Sequence, residues 1–306
     1  MNQPKSWIDI RGFWDTTVTN EIRYTGPSDN QPPPVGNILN DGMLNKGKIT
    51  CKAFFPETVS EARILFGYSS QSGKHYTAGL GGWGTGYTIQ IFDPNSGWRG
   101  LKLAGNKDNL RAGREYLIEV QITGSNISLF VDHVMVLEHV LEERLEGNQI
   151  GLCAVGITEV VFKDYFFESQ KPDIFVMMEF SEPYDTLYKE VIIPICEEAG
   201  LNVIRADDVF SEHGVVLQDI VKSIIESKII IAEITPSNQN VFYELGYAHA
   251  LKKPAILLAE KGKKLPFDIQ GYRTLFYENS IKGKKAIMEN LNKYLKAILN
   301  IRKSNA

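Results

Sequence analysis

From Trp7 to about Ser169 apolar and polar positions alternate in short runs broken by Gly, Asn, Asp and Pro, with almost no helical spacing. Alternation of period two is the mark of strands with one buried face. It predicts strands over Lys48–Phe55, Arg63–Tyr68, Tyr76–Leu80, Tyr87–Phe92, Glu115–Ile122, Ile127–Asp132, Gln149–Val155 and Glu159–Phe167. The clearest hairpin is YLIEVQITGSNISLFVD, with Gly124, Ser125 and Asn126 supplying the turn. Many short strands between turn signals predict an antiparallel all-β sandwich of jelly-roll type.

Beyond the segment ESQKPD, where Pro172 and its charged neighbours read as a linker, the period changes. Continuous apolar runs at Ile174–Glu179, Asn202–Ala206, Ile229–Ile234, Ala255–Ala259 and Thr274–Tyr277 alternate with helical patterns. The helices fall at Tyr184–Ala199, Val215–Ser227, Val241–Leu251 and Lys282–Leu299. Strands apolar throughout and separated by helices specify a parallel sheet covered on both faces. Five of them predict a flavodoxin-like, doubly wound α/β domain over 171–306, following a sandwich over 1–170. The stretch Lys261–Tyr272 stands where a fourth crossover helix belongs but has no helical pattern, so a loop or short irregular helix is expected there.

Composition narrows the class. A chain of 306 residues with 43% apolar and 23% charged residues suits two soluble globular domains and leaves no case for disorder. The net charge of −4 falls on the first 170 residues and the remainder is balanced, so neither half carries the basic excess of a nucleic-acid binder. Cys51, Cys153 and Cys196 are odd in number and embedded in apolar runs, which predicts buried thiols in a reducing cytoplasm. No signal peptide or membrane-spanning run is evident, and a cytoplasmic protein is expected. His75, His133 and His139 follow no metal-ligand spacing, and no metal is expected.

Open parallel sheets bind ligands at the carboxyl ends of their strands. Three such ends are polar or aromatic here: EFSEPYD, RADD and EITPSNQNVFYELGYAHAL. They predict a rim of Phe180, Ser181, Tyr184, Arg205, Asp207, Asp208, Asn238, Asn240, Tyr243 and Glu244. The turn residues before Val241 supply helix caps, so Glu244 is expected in or just beyond the opening turn. There the positive helix end would favour its ionised form.

The segment NVFYELGYAHALKKPAILL resembles the motif shared by nucleoside 2-deoxyribosyltransferases and Toll/interleukin-1 receptor (TIR)-like nucleotide-binding proteins of bacteria. The opening IFVMMEFSEPYDTLYKEVIIPICEEAGLNVIRADD resembles the TIR-like group too, and the likeness spans nearly all of Pro172 to Tyr277. It implies that Glu244 is the catalytic residue at the ribosyl anomeric carbon. Gly246 is expected to let its helix approach the sheet closely. The resemblance further implies an NAD glycohydrolase or ADP-ribosyl cyclase that takes NAD as substrate, needs no cofactor, and works as a homo-oligomer. Bacterial effectors of this kind act in anti-phage defence. Nicotinamide leaves NAD as a neutral molecule, so one carboxylate suffices. The transferases carry an Asp six positions before the Glu, and Asn238 stands there in this chain, which counts against nucleoside transfer. Asp207, Asp208 or Asp219 remain possible acids. Two alternatives stay open: a nucleoside or nucleotide N-glycosidase or deoxyribosyltransferase, and a silent nucleotide-binding signalling module.

In the first half GKITCKAFF, ARILFGYSS, REYLIEVQITGSNISLFVD, NQIGLCAV and VVFKDYFFES resemble the concanavalin A-like lectin/glucanase superfamily in its laminin-G-like branch. That implies a sensing, oligomerisation or ligand-binding domain with a carbohydrate or protein ligand. The paired strand acids of glycosidases of this architecture are not found. Trp83, Tyr87 and Trp98 form either a sugar platform or, as the favoured reading, a plug of the sandwich core or mouth.

Overall fold

In a computed structural model, residues 6–28, 33–57, 59–208, 217–235, 237–266, 269, 272 and 274–299 are described, the side chain at 208 excepted. The chain divides into two compact units, the first ending at Gln170 and the second taking the chain from Lys171 together with Glu142–Arg144.

The first unit's described residues form β1 (Trp7–Arg11), β2 (Phe13–Asp15), β3 (Glu21–Gly26), β4 (Val35–Met43), β5 (Gly47–Phe54), β6 (Glu61–Tyr68) and β7 (His75–Leu80). There follow β8 (Tyr87–Asp93), β9 (Gly97–Ala104), β10 (Glu115–Thr123), β11 (Asn126–Val131), β12 (Val134–Val140), β13 (Gln149–Val155) and β14 (Val160–Ser169). They pair antiparallel into two seven-stranded sheets, β1-β4-β13-β6-β7-β8-β9 and β12-β11-β10-β5-β14-β3-β2. Inward-facing Ile38, Ile64, Phe66, Tyr76 and Ile89 of one sheet meet Ile49, Ile118, Val120, Ile127 and Phe162 of the other in a single apolar core. The β10–β11 hairpin closes tighter than the sequence suggests. Thr123 pairs with Asn126, so only Gly124 and Ser125 form the turn, and Gly124 takes φ +61°.

The first sheet is buried on its other face as well. Val35, Leu39, Leu65 and Cys153 cluster there with Tyr68 and Trp98 against them. His75 packs edge-on to Trp98 at 5.4 Å and tilted against Phe92 at 5.1 Å. The three aromatics grouped by sequence thus part company. Trp98 plugs this second face, Tyr87 packs on the main core, and Trp83 stays 57% exposed. His75 lies in β7, His139 in β12 and His133 in the turn between β11 and β12. All three cysteines are free and buried.

The second unit holds β15 (Asp173–Met177), α1 (Tyr184–Leu187), a π-helical stretch (Tyr188–Ile192), α2 (Ile193–Glu198), β16 (Asn202–Arg205) and a 3-10 turn (Ala206–Asp208). It continues with α3 (Leu217–Glu226), β17 (Ile229–Glu233), α4 (Gln239–Ala250), β18 (Ala255–Glu260), β19 (Thr274–Tyr277) and α5 (Ile281–Ile298). All five strands are parallel, in the order β16-β15-β17-β18-β19. Chain order reverses between β15 and β17, which makes their carboxyl ends the switch point where ligands of open sheets bind. Alternate strand residues feed two cores. Ile174, Val176, Ile229 and Ile231 pack with Tyr188, Val191, Ile195 and Leu291, whereas Phe175, Ile230 and Ala232 pack with Ile224, Val241, Leu245 and Ala248.

Two local expectations change and a third falls partly outside the described residues. The helix expected over Tyr184–Ala199 is interrupted by the π-helical stretch, just before Pro194, which lacks the N–H for a regular bond to the carbonyl four residues back. The α3 pattern expected from Val215 is seen from Leu217, positions 215 and 216 lying outside the described residues. Gly246 is exposed and a Cβ there would meet nothing within 4 Å, so close approach of α4 to the sheet is not its role. Most of the segment from Lys261 to Tyr272 lacks regular structure where it is described, and residues 267, 268, 270 and 271 lie outside that description.

Candidate active site

The switch point is built from the ends of β15 and β17 and the start of α4. Asn238 is the N-cap of α4: its side-chain oxygen accepts from the backbone N–H of Asn240 at 2.9 Å and of Val241 at 3.4 Å. Its amide nitrogen donates to Glu179, just past β15, so one side chain ties the helix start to the neighbouring strand end.

Glu244 sits in the second turn of α4 rather than the first, because the helix begins at Gln239. That corrects the expected electrostatics: the free N–H groups of the helix start are out of its reach, and burial instead pushes its carboxyl up to about 7. It is only 8% exposed and has no hydrogen-bond or ion-pair partner among the described residues. A carboxylate stripped of water and left without a cation is costly to fold around, a condition that functional carboxylates share.

The other residues expected at the rim divide into exposed and engaged. Phe180 and Tyr243 are 50% and 60% exposed, so neither belongs to the core. Ser181 and Asn240 are exposed, and the Ser181 carbonyl accepts from the N–H of Tyr184 and Asp185 to turn the chain into α1. Arg205 is buried and committed to carboxylates, donating to Asp207 at 2.5 Å and to Asp185 at 2.6 Å. Its guanidinium also lies 5.2 Å from the Phe180 ring and 4.3 Å from that of Tyr188. It therefore fixes the strand-end loops and carries Phe180, with its charge already offset. Asp207 is spent on Arg205, Asp219 stands in the first turn of α3, and the side chain of Asp208 lies outside the described residues.

Sequence reasoning missed a second buried carboxyl. Glu233, the last residue of β17, is 1% exposed. Its oxygens accept from the N–H of Thr235 at 3.0 and 3.1 Å and from the Tyr277 hydroxyl at 3.1 Å. Burial pushes it up to about 8, and Glu260 nearby adds to the rise. The signal was present as a lone acid closing the apolar run IIIAE. Tyr184 is pushed up to about 12, first by burial and then by the charges of Glu233, Glu260 and Glu179. Among the described residues no group of three or more potential ligands could hold a metal, and no helix is long and apolar enough to cross a membrane.

No protein-family model matches the chain, and no curated protein matches it. Among solved structures, it is similar to the carbohydrate-binding module CBM66 from Bacillus subtilis, with 13% identity and TM-score 0.46, over 55% of this chain and 99% of that one. It is also similar to the CMP N-glycosidase BcmB of Clostridium botulinum, with 22% identity and TM-score 0.33, over 40% of this chain and 99% of that one. A third is a β-glucanase of Bacillus licheniformis, at 11% identity and TM-score 0.37, over 54% of this chain and 92% of that one.

Proposed function

We propose that the second unit is a TIR-like, flavodoxin-like domain that hydrolyses the N-glycosidic bond to a ribose, with Glu244 facing the anomeric carbon and NAD as the first substrate. One observation carries the reading: a buried carboxyl, without a partner among the described residues, on the helix that begins at the switch point. Cleavage at an anomeric carbon passes through an oxocarbenium-like state, which an adjacent carboxylate stabilises or traps. The ring nitrogen of NAD is already cationic, so nicotinamide departs without a proton and Glu244 alone meets the need. A carboxylate is required, so turnover rises with pH through about 7, the value to which burial pushes Glu244.

The sandwich unit is the natural seat of control in a cytoplasmic homo-oligomer, through a carbohydrate or protein ligand, and defence against phage is the setting this reading fits. Glu244→Gln tests the core of the proposal, since it keeps size and removes charge. Nicotinamide release should fall by two or more powers of ten with NAD binding nearly unchanged and the fold no less stable, because a buried charge has been removed. Retention of more than about a tenth of wild-type turnover, a barrier change under about 1.4 kcal/mol, would sink the assignment. Turnover of CMP and nucleosides in place of NAD would favour the nucleotide N-glycosidase. No turnover with either class would leave a silent nucleotide-binding module.

A further inference from the structure

We infer that Glu179, bound by the cap residue of the helix that carries Glu244, accepts from the hydroxyls of the ribose being cleaved and makes the site selective for ribosides over 2′-deoxyribosides. This rests on the reading of Glu244 above and adds to it the residue that recognises the sugar.

The argument starts from the two faces of the sheet. Strand β15 sends Ile174 and Val176 to one core and Phe175 and Met177 to the other. Met178 returns to the first core, so Glu179 continues the series of Phe175 and Met177. That is the face on which α4 packs through Val241, Leu245 and Ala248, against both β15 and β17. The hydrogen bond from the Asn238 amide to Glu179 Oε2 agrees with this placement, because Asn238 is the N-cap of α4. Glu179 and Glu244 therefore share one face of the sheet at the switch point, one on the strand end and the other on the helix.

Glu179 differs from the other acids at these strand ends in what it has left to offer. Asp185 and Asp207 are spent on Arg205, and Glu233 is enclosed with its oxygens taken by Thr235 and Tyr277. Glu179 is half-buried, Asn238 holds one of its oxygens, and Oε1 has no partner among the described residues. No cation among them pairs with it. A carboxylate oxygen fixed beside a cleft calls for a donor, and its charge repels a phosphate. Sugar hydroxyls meet both conditions.

Reach and stereochemistry agree. Asn238 and Glu244 stand about 9 Å apart along a helix that rises about 1.5 Å per residue. Helical side chains lean toward the helix start, which brings the Glu244 carboxyl nearer to Glu179 than its backbone is. A ribose ring with a contact of about 3 Å at either side fills such a gap. In a β-riboside the base leaves from one face of the ring and the 2′- and 3′-hydroxyls lie on the other. A carboxylate facing C1′ from behind the departing base thus has those hydroxyls on its own side, where Glu179 also stands. A hydrogen bond from the 2′-hydroxyl strengthens as the neighbouring C1′ becomes cationic, so its loss is read in kcat/KM.

The test uses full-length protein, wild type, Glu179→Ala and Glu179→Gln, with NAD and its analogue lacking the 2′-hydroxyl of the nicotinamide ribose. The two substrates differ in inherent lability, so the readout is how each substitution changes the ratio of their kcat/KM values. In Glu179→Ala the ratio of NAD to the deoxy analogue should fall at least about tenfold. Glu179→Gln keeps an acceptor for Asn238 without the charge and should move the ratio in the same direction, which serves if the alanine variant fails to fold. Should neither fold, wild-type selectivity decides, and a preference for the deoxy analogue overturns the inference. A Glu179 that only secures the helix start would depress both substrates alike, and an unchanged ratio overturns the inference while leaving Glu244 standing. If the protein turns over CMP instead of NAD, CMP and its 2′-deoxy counterpart take their places in the same comparison. Wild-type protein that cleaves none of these removes the reading of Glu244, and this inference falls with it.

Discussion

Glu244 and Glu233 show how position alone gives one residue type two different environments. Both are deprived of water, but Glu244 lacks partners among the described residues and Glu233 is furnished with donors. Each has a folded-state value raised above that of the unfolded chain. Its contribution to stability is therefore complete below about pH 4.5 and is lost as pH rises toward 7 for Glu244 and 8 for Glu233. His75 and Lys253, pushed down by burial to about 4 and about 7, act with the opposite sign in overlapping windows, so the wild-type curve alone is ambiguous. Glu233→Gln removes the ambiguity. Relative to wild type, the variant should gain on the order of 2–4 kcal/mol between pH 5 and 8, read as the difference between paired melting curves. A constant difference across that range would show that Glu233 does not carry its proton in the fold. Legibility at this scale was uneven. Phe180 and Tyr243 stood out as aromatics beside strand-end turns, whereas Glu244 was singled out by the resemblance its segment carries. Glu233 was absorbed into an apolar run, and only Tyr277, 44 residues away, reveals that its carboxyl is held.

At the scale of elements, α4 is fixed at both ends by side chains from the turns around it. Asn238 caps its start and reaches Glu179. Past its end, the Lys253 ammonium donates to the carbonyls of Ile225 at 2.5 Å and Ser227 at 2.7 Å, and so joins α4 to the end of α3. Asn238→Ala should cost about 1–2 kcal/mol through the lost cap. Asn238→Asp separates the two tasks of this residue, because Asp caps as well as Asn but sets a second carboxylate against Glu179. It should be less stable than wild type at pH 8 and recover as pH falls, since a like-charge pair raises carboxyl values in the fold. Chemical denaturation at the two pH values measures this. Regular elements were readable because their periods differ, two in the first half and continuous runs with 3.6-residue helices in the second. The π-helical stretch was not, although Pro194 marked the place, because periodicity counts residues per turn and cannot see one turn widened by one residue.

At the scale of the whole molecule, each unit owns its core. The sandwich core draws on residues from Ile22 to Phe167, and both α/β cores draw on residues from Ile174 onward. Phe162 is fully enclosed in the first, and Phe162→Ala should cost about 3–5 kcal/mol there. Calorimetry should show one transition lowered and the other unmoved, whereas a joint shift would mean the units melt as one. The second buried face of the first sheet gives its inner strands β4, β13, β6 and β7 runs that are buried on both sides. In β6 and β7 all of Ala62–Gly67 and His75–Leu80 is buried, and both strands are paired along both edges. Their amides have no fraying route to solvent. When the protein is moved into deuterated water, Ile64–Phe66 and Tyr76–Ala78 should be among the last of the sandwich to take up label. The pace at which they do so is a clock for the opening of the entire first unit.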